Sequence, residues 1–254
     1  MPRTQLLYQE DSYAKDASCN ILKVIPDDKK SSYVVLDRTI FHPKSGGQPS
    51  DRGKISATEM AFDVKRAMIL SGVVVQWGKY IKGRPELGPA HLEIDWAARY
   101  EYMRRHTAAH LYDHCLSSIL GGRVETTDSW VGEGSYIGYH GALPTFEQLQ
   151  AAETLENGMI AKGAKVTSQL MRREEALTIT PEAPNLARLP EASYLRVVTI
   201  EGCRGIPCGG THITDIREIC EFHLRQPEDL GEKFRVYFDI PPAPCEAPAS
   251  TQPH

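Results

Sequence analysis

D-W-A-A-R-Y-E-Y-M-R-R-H-T-A-A-H-L-Y-D-H-C-L-S-S-I-L-G-G, residues 95–122, is the stretch on which the reading of this chain turns. Asp95 is a residue type that accepts from the first unbonded N–H groups of a helix, and Gly121-Gly122 supplies a stop. Between them Tyr100, Met103, Ala108 and Leu111 recur at roughly helical spacing, as a core-facing stripe would. The pattern predicts a helix from about Trp96 to Leu120. On its N-terminal side the chain is β-rich. Tyr33–Leu36, Val73–Trp77 and His91–Ile94 are strand candidates, and HPKSGGQPSDRG (42–53) between the first two is dense in turn formers. Several short strands with no strong helix point to a small barrel or sandwich.

Beyond the helix, T-F-E-Q at 145–148 fits a capping box, opening a second helix that ends near Gly163. Strand candidates follow at 165–171, 194–200, 219–224 and 234–238. Helices among mainly antiparallel strands suggest an α+β second domain. The expected division is 1–95, 96–240, and a loose Pro-rich tail at 241–254.

At 254 residues, 41% apolar and 24% charged, the chain is long and ordinary enough to form a sizeable core, so disorder is not expected outside the ends. No apolar run approaches the ~20 residues of a membrane span, and the N-terminus lacks the order of a secretory signal. A cytoplasmic location is therefore expected. The net charge of −4 gives no broad cationic face for nucleic acid. RNA contacts would have to come from local pairs such as Arg104-Arg105, Arg172-Arg173 or Arg196 with Arg204. Six scattered cysteines stay thiols in a reducing compartment unless they bind metal.

The helix places His106 and His110 at i and i+4, one above the other on one face. P-C-G-G-T-H at 207–212 puts Cys208 and His212 within one tight, glycine-allowed turn. Three imidazoles and a thiolate suit zinc. His114 continues the series to i+8, where the ~6 Å rise and ~40° drift per four residues leave 106 and 114 too far apart to share one ion. Helix geometry alone does not choose between 106/110 and 110/114, and Cys203 is a possible spare ligand.

Three segments resemble the AlaX family, freestanding relatives of the editing domain of alanyl-tRNA synthetase. They are L-D-R-T-I-F-H-P-K-S-G-G-Q-P-S-D-R-G (36–53), M-R-R-H-T-A-A-H-L (103–111) and V-V-T-I-E-G-C-R-G-I-P-C-G-G-T-H-I (197–213), similar to the family's glycine-rich, HxxxH and CxxxH motifs. They occur in the family's order, and the chain resembles its intermediate-length form. It departs at Phe41-His42, where relatives often carry two aromatic residues. The resemblance implies a small N-terminal β-barrel followed by a two-layer α/β editing domain similar to the second-site domain of threonyl-tRNA synthetase.

It also implies the ligand register His106, His110, Cys208 and His212, with Zn²⁺ as cofactor. The implied activity is deacylation of mischarged tRNA(Ala), carrying serine or glycine, with neither DNA nor a membrane as partner. A pocket shaped for alanine resists an added hydroxyl only ~10²-fold, so a second site that demands the hydroxyl completes the discrimination. The zinc would activate a water or orient the substrate. Gln48 in the glycine-rich loop is the candidate contact to the aminoacyl end, with Gly46, Gly47, Arg104 and Arg105 as further substrate contacts. Thr107 and Thr211, beside metal ligands, are candidate hydroxyls for reading serine; Asp51 and Arg52 would steady the loop by local pairing. Rival readings are a zinc hydrolase of small-molecule esters and a non-catalytic tRNA-binding protein with a structural zinc.

Overall fold

The computed structural model describes residues 3–242. Among these, close contacts divide the chain into two units, one of residues 3–45 and 49–100, the other of residues 46–48 and 101–242. The first is built on six strands, β1 (Asp16–Pro26), β2 (Ser31–Leu36), β3 (Gly53–Ala57), β4 (Met60–Leu70), β5 (Val73–Lys82) and β6 (Gly88–Ile94). They close into an antiparallel barrel in the order β1-β2-β5-β4-β3-β6. Alternation sets the interior: Ala90, Leu92 and Ile94 of β6 point inward with Ile55, Phe62 and Val34. Closure leaves no open sheet edge.

Two of the longer strands were not among the sequence candidates, for a physical reason. β1 shifts register between Ile21 and Lys23, and β4 between Val64 and Arg66. A bulge flips the inward face midway, so the period-2 pattern of each strand is broken.

α1 (Trp96–Leu120) begins where Asp95 Oδ1 accepts from the Ala98 N–H at 3.3 Å. It ends with Gly121 at φ +69° and the Gly122 N–H donating to the Ser117 carbonyl at 3.2 Å, a Schellman closure. In its first turn Arg99 is fully buried. The guanidinium is held by the equally buried Asp51 carboxylate and by the carbonyls of Ile40 (2.5 Å) and Ser12 (3.0 Å). Asp51 does steady its own loop, where its carboxylate accepts from the His42 N–H and its N–H donates to the His42 carbonyl at 3.0 Å. Its charged partner comes from 48 positions on, while Arg52 takes Asp95 at the surface. A buried guanidinium requires this many acceptors, because desolvating it unmatched would cost several kcal/mol.

The second unit contains the rest of α1 and two antiparallel sheets. In one, β7 (Thr126–Trp130), β8 (Tyr136–His140) and β12 (Lys233–Asp239) pair in that order, and short strands His223–Leu224 and Glu228–Asp229 add to β12. In the other, β9 (Val166–Arg172), β10 (Tyr194–Ile200) and β11 (Ile206–Pro207) pair in sequence. α2 (Phe146–Lys162) opens on the expected capping box, Thr145 with Gln148, and a short α3 (Arg173–Ile179) follows β9. The strand expected at 219–224 is reduced to its last two residues. Asp215 and Glu218 cap each other's backbone and wind Ile216–Ile219 into a 3-10 turn. The expected tail, from residue 243 on, lies outside the described residues. Among the described residues no helix is long and apolar enough to cross a membrane.

The interior of this unit holds Glu156 of α2, fully buried, with neither carboxylate oxygen hydrogen-bonded among the described residues. Burial, then the charges of Asp113 and Glu153, raise its pKa well above the ordinary 4.5. Glu153 of α2, Tyr112, Asp113 and Cys115 of α1 and Tyr139 of β8 are the titratable groups whose charges couple to it. The folded state thus holds a proton that the unfolded chain releases near pH 4.5, so stability falls as pH rises above that value. Asp113, raised to about 7 chiefly by burial, adds a loss of the same sign that is complete near that pH. Glu156→Gln should flatten the decline in urea midpoint over roughly pH 5–8, leaving the Asp113 share. Parallel pH profiles for the two proteins would show Glu156 to be ionised in the fold.

Candidate metal centre

Two stretches a hundred residues apart build the site. α1 presents His106 and His110 from successive turns, and the loop after β11 presents Cys208 and His212. The donor atoms of the four residues all lie within 4.8 Å of one another. Cys208 Sγ stands 3.5 Å from His106 Nε2 and 3.5 Å from His212 Nε2. A tetrahedral zinc with Zn–N bonds of about 2.0–2.1 Å and a Zn–S bond of about 2.3 Å sets its nitrogen and sulfur about 3.6 Å apart. The residues present fit that ion. His114, one turn past His110, is not in the cluster.

Hydrogen bonds fix how two of the imidazoles point. Gln48 Oε1 accepts from the Thr211 N–H at 3.0 Å, which identifies it as the carbonyl end of the amide. His106 Nδ1, 3.0 Å from the same oxygen, must then carry a proton, leaving Nε2 as the lone-pair nitrogen facing Cys208. The Thr107 hydroxyl donates to the Met103 carbonyl at 2.9 Å, so toward His212 Nδ1, at 3.1 Å, its oxygen is an acceptor. His212 is thereby held in the same tautomer, with Nε2 toward the sulfur.

The electrostatics agree. Burial, then the charges of His106, Arg196 and Arg188, push the His110 pKa well below 6.5, so the ring is neutral and able to ligate. Burial raises the Cys208 thiol, opposed by the Gly210 N–H and by Arg196 and Arg188. A bound cation would be needed to hold this sulfur as thiolate.

Two glycines are required by space. A Cβ on Gly210 would lie 2.2 Å from His106 Cε1 and 2.9 Å from Gln48 Oε1. Gly47, at φ +80°, runs so close to β7 that a Cβ would meet the Ser129 carbonyl oxygen at 2.6 Å, while its own carbonyl accepts from the Val131 N–H. With Gly46 at φ +56°, the turn delivers Gln48 to the ligands.

Of the expected contact residues, Gly46, Gly47, Gln48, Thr107 and Thr211 lie in or beside this network. Thr107 is not placed to read a substrate hydroxyl, since its proton is committed to Met103. Arg104 is a correction. It is fully buried, donating to the carbonyls of Glu218 (2.6 Å), Ile219 (2.9 Å) and Pro241 (2.9 Å) and pairing with Glu101 (3.0 Å). A phosphate cannot reach it. Arg105 is partly exposed and donates to the Gly132 carbonyl at 3.0 Å. Arg196 is also drawn inward, donating to the carbonyls of Cys208 (3.3 Å) and Gly210 (2.8 Å) and so bracing the ligand loop. Sequence reasoning did not single it out for that role; a lone arginine in a strand carries no signal for it.

Gly210→Ala should displace either the His106 ring or the loop and cut bound zinc well below one equivalent. Elemental analysis of the purified variant checks this, and full occupancy would show that the loop gives way without harm.

The family described as tRNA synthetases class II (A) matches residues 16–98. Across nearly the whole chain the protein is similar to the alanyl-tRNA editing protein AlaX-M of Methanosarcina acetivorans, with 32% identity covering 93% of this chain and 99% of the relative. AlaX-M of Pyrococcus horikoshii is 32% identical over 90% of this chain and 93% of its own length. The alanine–tRNA ligase of Pyrobaculum neutrophilum is 30% identical over 91% of this chain, which matches only 26% of that longer protein. Identity at this level along almost the full length of the freestanding relatives makes this chain a member of the AlaX family of alanyl-tRNA editing proteins.

Proposed function

We propose that the protein deacylates tRNA(Ala) mischarged with serine or glycine, in the cytoplasm, at a zinc centre held by His106, His110, Cys208 and His212. The observation that carries this reading is the four-donor cluster, drawn from two distant segments, in a chain that aligns end to end with alanyl-tRNA editing proteins. Residues 96–240 would form the editing domain, a two-layer α/β fold like the second-site domain of threonyl-tRNA synthetase, and residues 1–95 the glycine-rich-motif domain. When bound, zinc supplies Lewis acidity and fixed positive charge beside the ester.

The chain's own residues divide the remaining work. Gln48 and Thr107 position His106 and His212. Gln48 uses one amide N–H on Thr211 Oγ1, at 2.8 Å, and in this reading the other serves the aminoacyl end. Thr211 Oγ1 accepts that bond, and its own proton has no acceptor among the described residues. Thr211 is fully buried in this structure, and in this reading it is the hydroxyl that donates to the serine side chain when substrate enters. With alanine bound that donor would stay unmatched, which favours the hydroxylated substrate. Gly46 and Gly47 shape the loop, and Arg105, partly exposed while donating to the Gly132 carbonyl and pairing with Glu101, is the outer cation of its pair.

The deciding experiment is deacylation of Ser-, Gly- and Ala-charged tRNA(Ala) by the purified protein, with metal quantified in the same sample. Cys208→Ala should lose zinc and activity together; undiminished turnover without metal would refute the centre. Thr211→Val should lower kcat/KM for Ser-tRNA(Ala) by about 10–100-fold, roughly the 1–3 kcal/mol of one hydrogen bond to a buried donor, while leaving zinc content intact. An equal loss on Gly-tRNA(Ala) would assign Thr211 to packing rather than to serine.

A further inference from the structure

Several sheet edges in this chain are closed off. The barrel has none. The Val131 N–H, just past β7, is taken by the Gly47 carbonyl at 3.0 Å, and β11 carries Pro207, whose carbonyl accepts from Asn185 Nδ2 at 2.7 Å. β9, the outer strand of its sheet, is treated otherwise. Thr167, Ser168, Gln169 and Leu170 are all exposed, and the register against β10 runs from Val166 to Arg172 without a bulge. From Thr167 to Met171 the strand carries no charge and no proline. Bulges, charges and prolines are what keep an edge strand from pairing with another chain.

The direction of each backbone group follows from the bonds at the two ends of the strand. The Lys165 carbonyl accepts from the Glu201 N–H at 2.8 Å, and the Arg173 N–H donates to the Ser193 carbonyl at 2.9 Å. In an antiparallel ladder alternate residues bond the same neighbour, so Thr167, Gln169 and Met171 also face β10. Val166, Ser168, Leu170 and Arg172 turn their N–H and C=O groups to the open side. Val166 agrees, its N–H donating to the Thr214 carbonyl at 2.9 Å. Arg172 is the N-cap of α3, so its carbonyl accepts the first bond of that helix. Blunted at both ends, the edge leaves Ser168 and Leu170 whole, each with a backbone donor and acceptor that meet no partner among the described residues.

Such a pair is its own complement. Turned about a two-fold axis at Gln169, Ser168 of one copy lies opposite Leu170 of the other, and their donors and acceptors close four hydrogen bonds. Centring the axis on Leu170 would need the Arg172 carbonyl, and on Ser168 the Val166 N–H, both already committed. On one face the two Leu170 side chains, 64% exposed in the single copy, become diagonal neighbours, with the half-exposed Tyr194 beside them. The other opposed pairs within β9 are Gln169 with itself, Thr167 with Met171 and Val166 with Arg172, and none sets like charges together. Lys165, which would come nearest Arg173 of the second copy, is already paired with Asp215 at 3.3 Å.

We propose that β9 pairs antiparallel with β9 of a second copy of this chain about a two-fold axis at Gln169, so that the protein is a homodimer with one sheet running through both copies. The pairing stands independently of the deacylase reading. It bears on the metal centre through β10, whose Arg196 is the register partner of Leu170 and holds the carbonyls of Cys208 and Gly210. The contact is small for a dimer interface, so association in the micromolar range is expected.

Sedimentation velocity on the zinc-loaded protein should show a reversible monomer–dimer equilibrium; monomer alone at submillimolar concentration overturns the proposal. Ser168→Pro removes an outward N–H that the ladder with β10 does not use, so it should give a folded, zinc-loaded monomer. A dimer that persists in this variant forms elsewhere, and the proposal falls. Should the proline variant fail to fold, Leu170→Lys, which sets two charges beside the axis, must give the monomer instead. Gln169→Cys tests the register. Directly opposed residues that do not bond each other lie about 4.5 Å apart at Cα, within disulfide reach, so oxidised glutathione should link the two copies and dithiothreitol release them. Thr167→Cys, equally exposed on the same face but about 14 Å from its own copy, should link no more than the wild type. Equal linkage at the two positions means random collision and sinks the register. Slow hydrogen exchange at Ser168 and Leu170 in a concentration-independent monomer would mean that another segment of the chain covers the edge, which also overturns the proposal.

Discussion

Everything the second unit can do depends on three imidazoles and a thiol being brought within 5 Å of one another while each ring keeps the correct nitrogen bare. Unsupported, such a cluster would be unfavourable: four desolvated polar groups crowd together, and any protonated ring repels its neighbours. The structure resolves this by giving the outer nitrogens of His106 and His212 an acceptor whose own polarity is already decided elsewhere. Gln48 cannot present its amino end to His106, because the Thr211 N–H demands the carbonyl. Thr107 cannot donate to His212, because Met103 takes its proton. The ring orientations follow from backbone groups one bond further out, and backbone groups do not rotate. Such outer contacts typically govern metal affinity by 10–100-fold.

The arginines show the same principle applied to charge. Read along the sequence, Arg104, Arg105 and Arg196 look like material for holding RNA. In the fold, Arg99 and Arg104 are wholly enclosed and satisfied mainly by carbonyl oxygens, which a guanidinium with five donors in a rigid fork can collect from several segments at once. Arg196 does so for the ligand loop. Three guanidiniums, those of Arg99, Arg104 and Arg196, thus hold backbone in place rather than face solvent.

Local signals were legible in the sequence wherever the determinant lies within a few residues. The cap at Asp95, the Schellman glycines and the Thr145 box mark both long helices to within a residue, and Tyr194–Ile200 is the strand that alternation and branching predict. Legibility failed where a distant partner decides. A bulge in β4 is set by pairing with β5, and the partner of Asp51 is an arginine 48 positions away. The glycine-rich loop marks Gln48 as a residue of the site, but a loop glutamine shows nothing of Thr211, 163 residues on, which engages its amide. His106, His110, Cys208 and His212 were readable as donors; the separation of Thr107 from Thr211 by the fate of one proton was not.

The histidine series on α1 resolves by the same arithmetic that made it ambiguous. Four residues bring an imidazole about 6 Å along the axis and rotate it about 40° past the previous one. A single step leaves two rings able to meet at one point, and a second step does not. The partner segment then chooses which step counts. Cys208 sits against His106, so the pair that closes is 106/110, and His114 is carried past the cluster into the adjoining cleft. Had β11 entered one turn further along the helix, 110/114 would have been the ligand pair and His106 the spare. The cluster and the adjoining cleft thus draw on the same helix, His106 and His110 serving one and His114 the other.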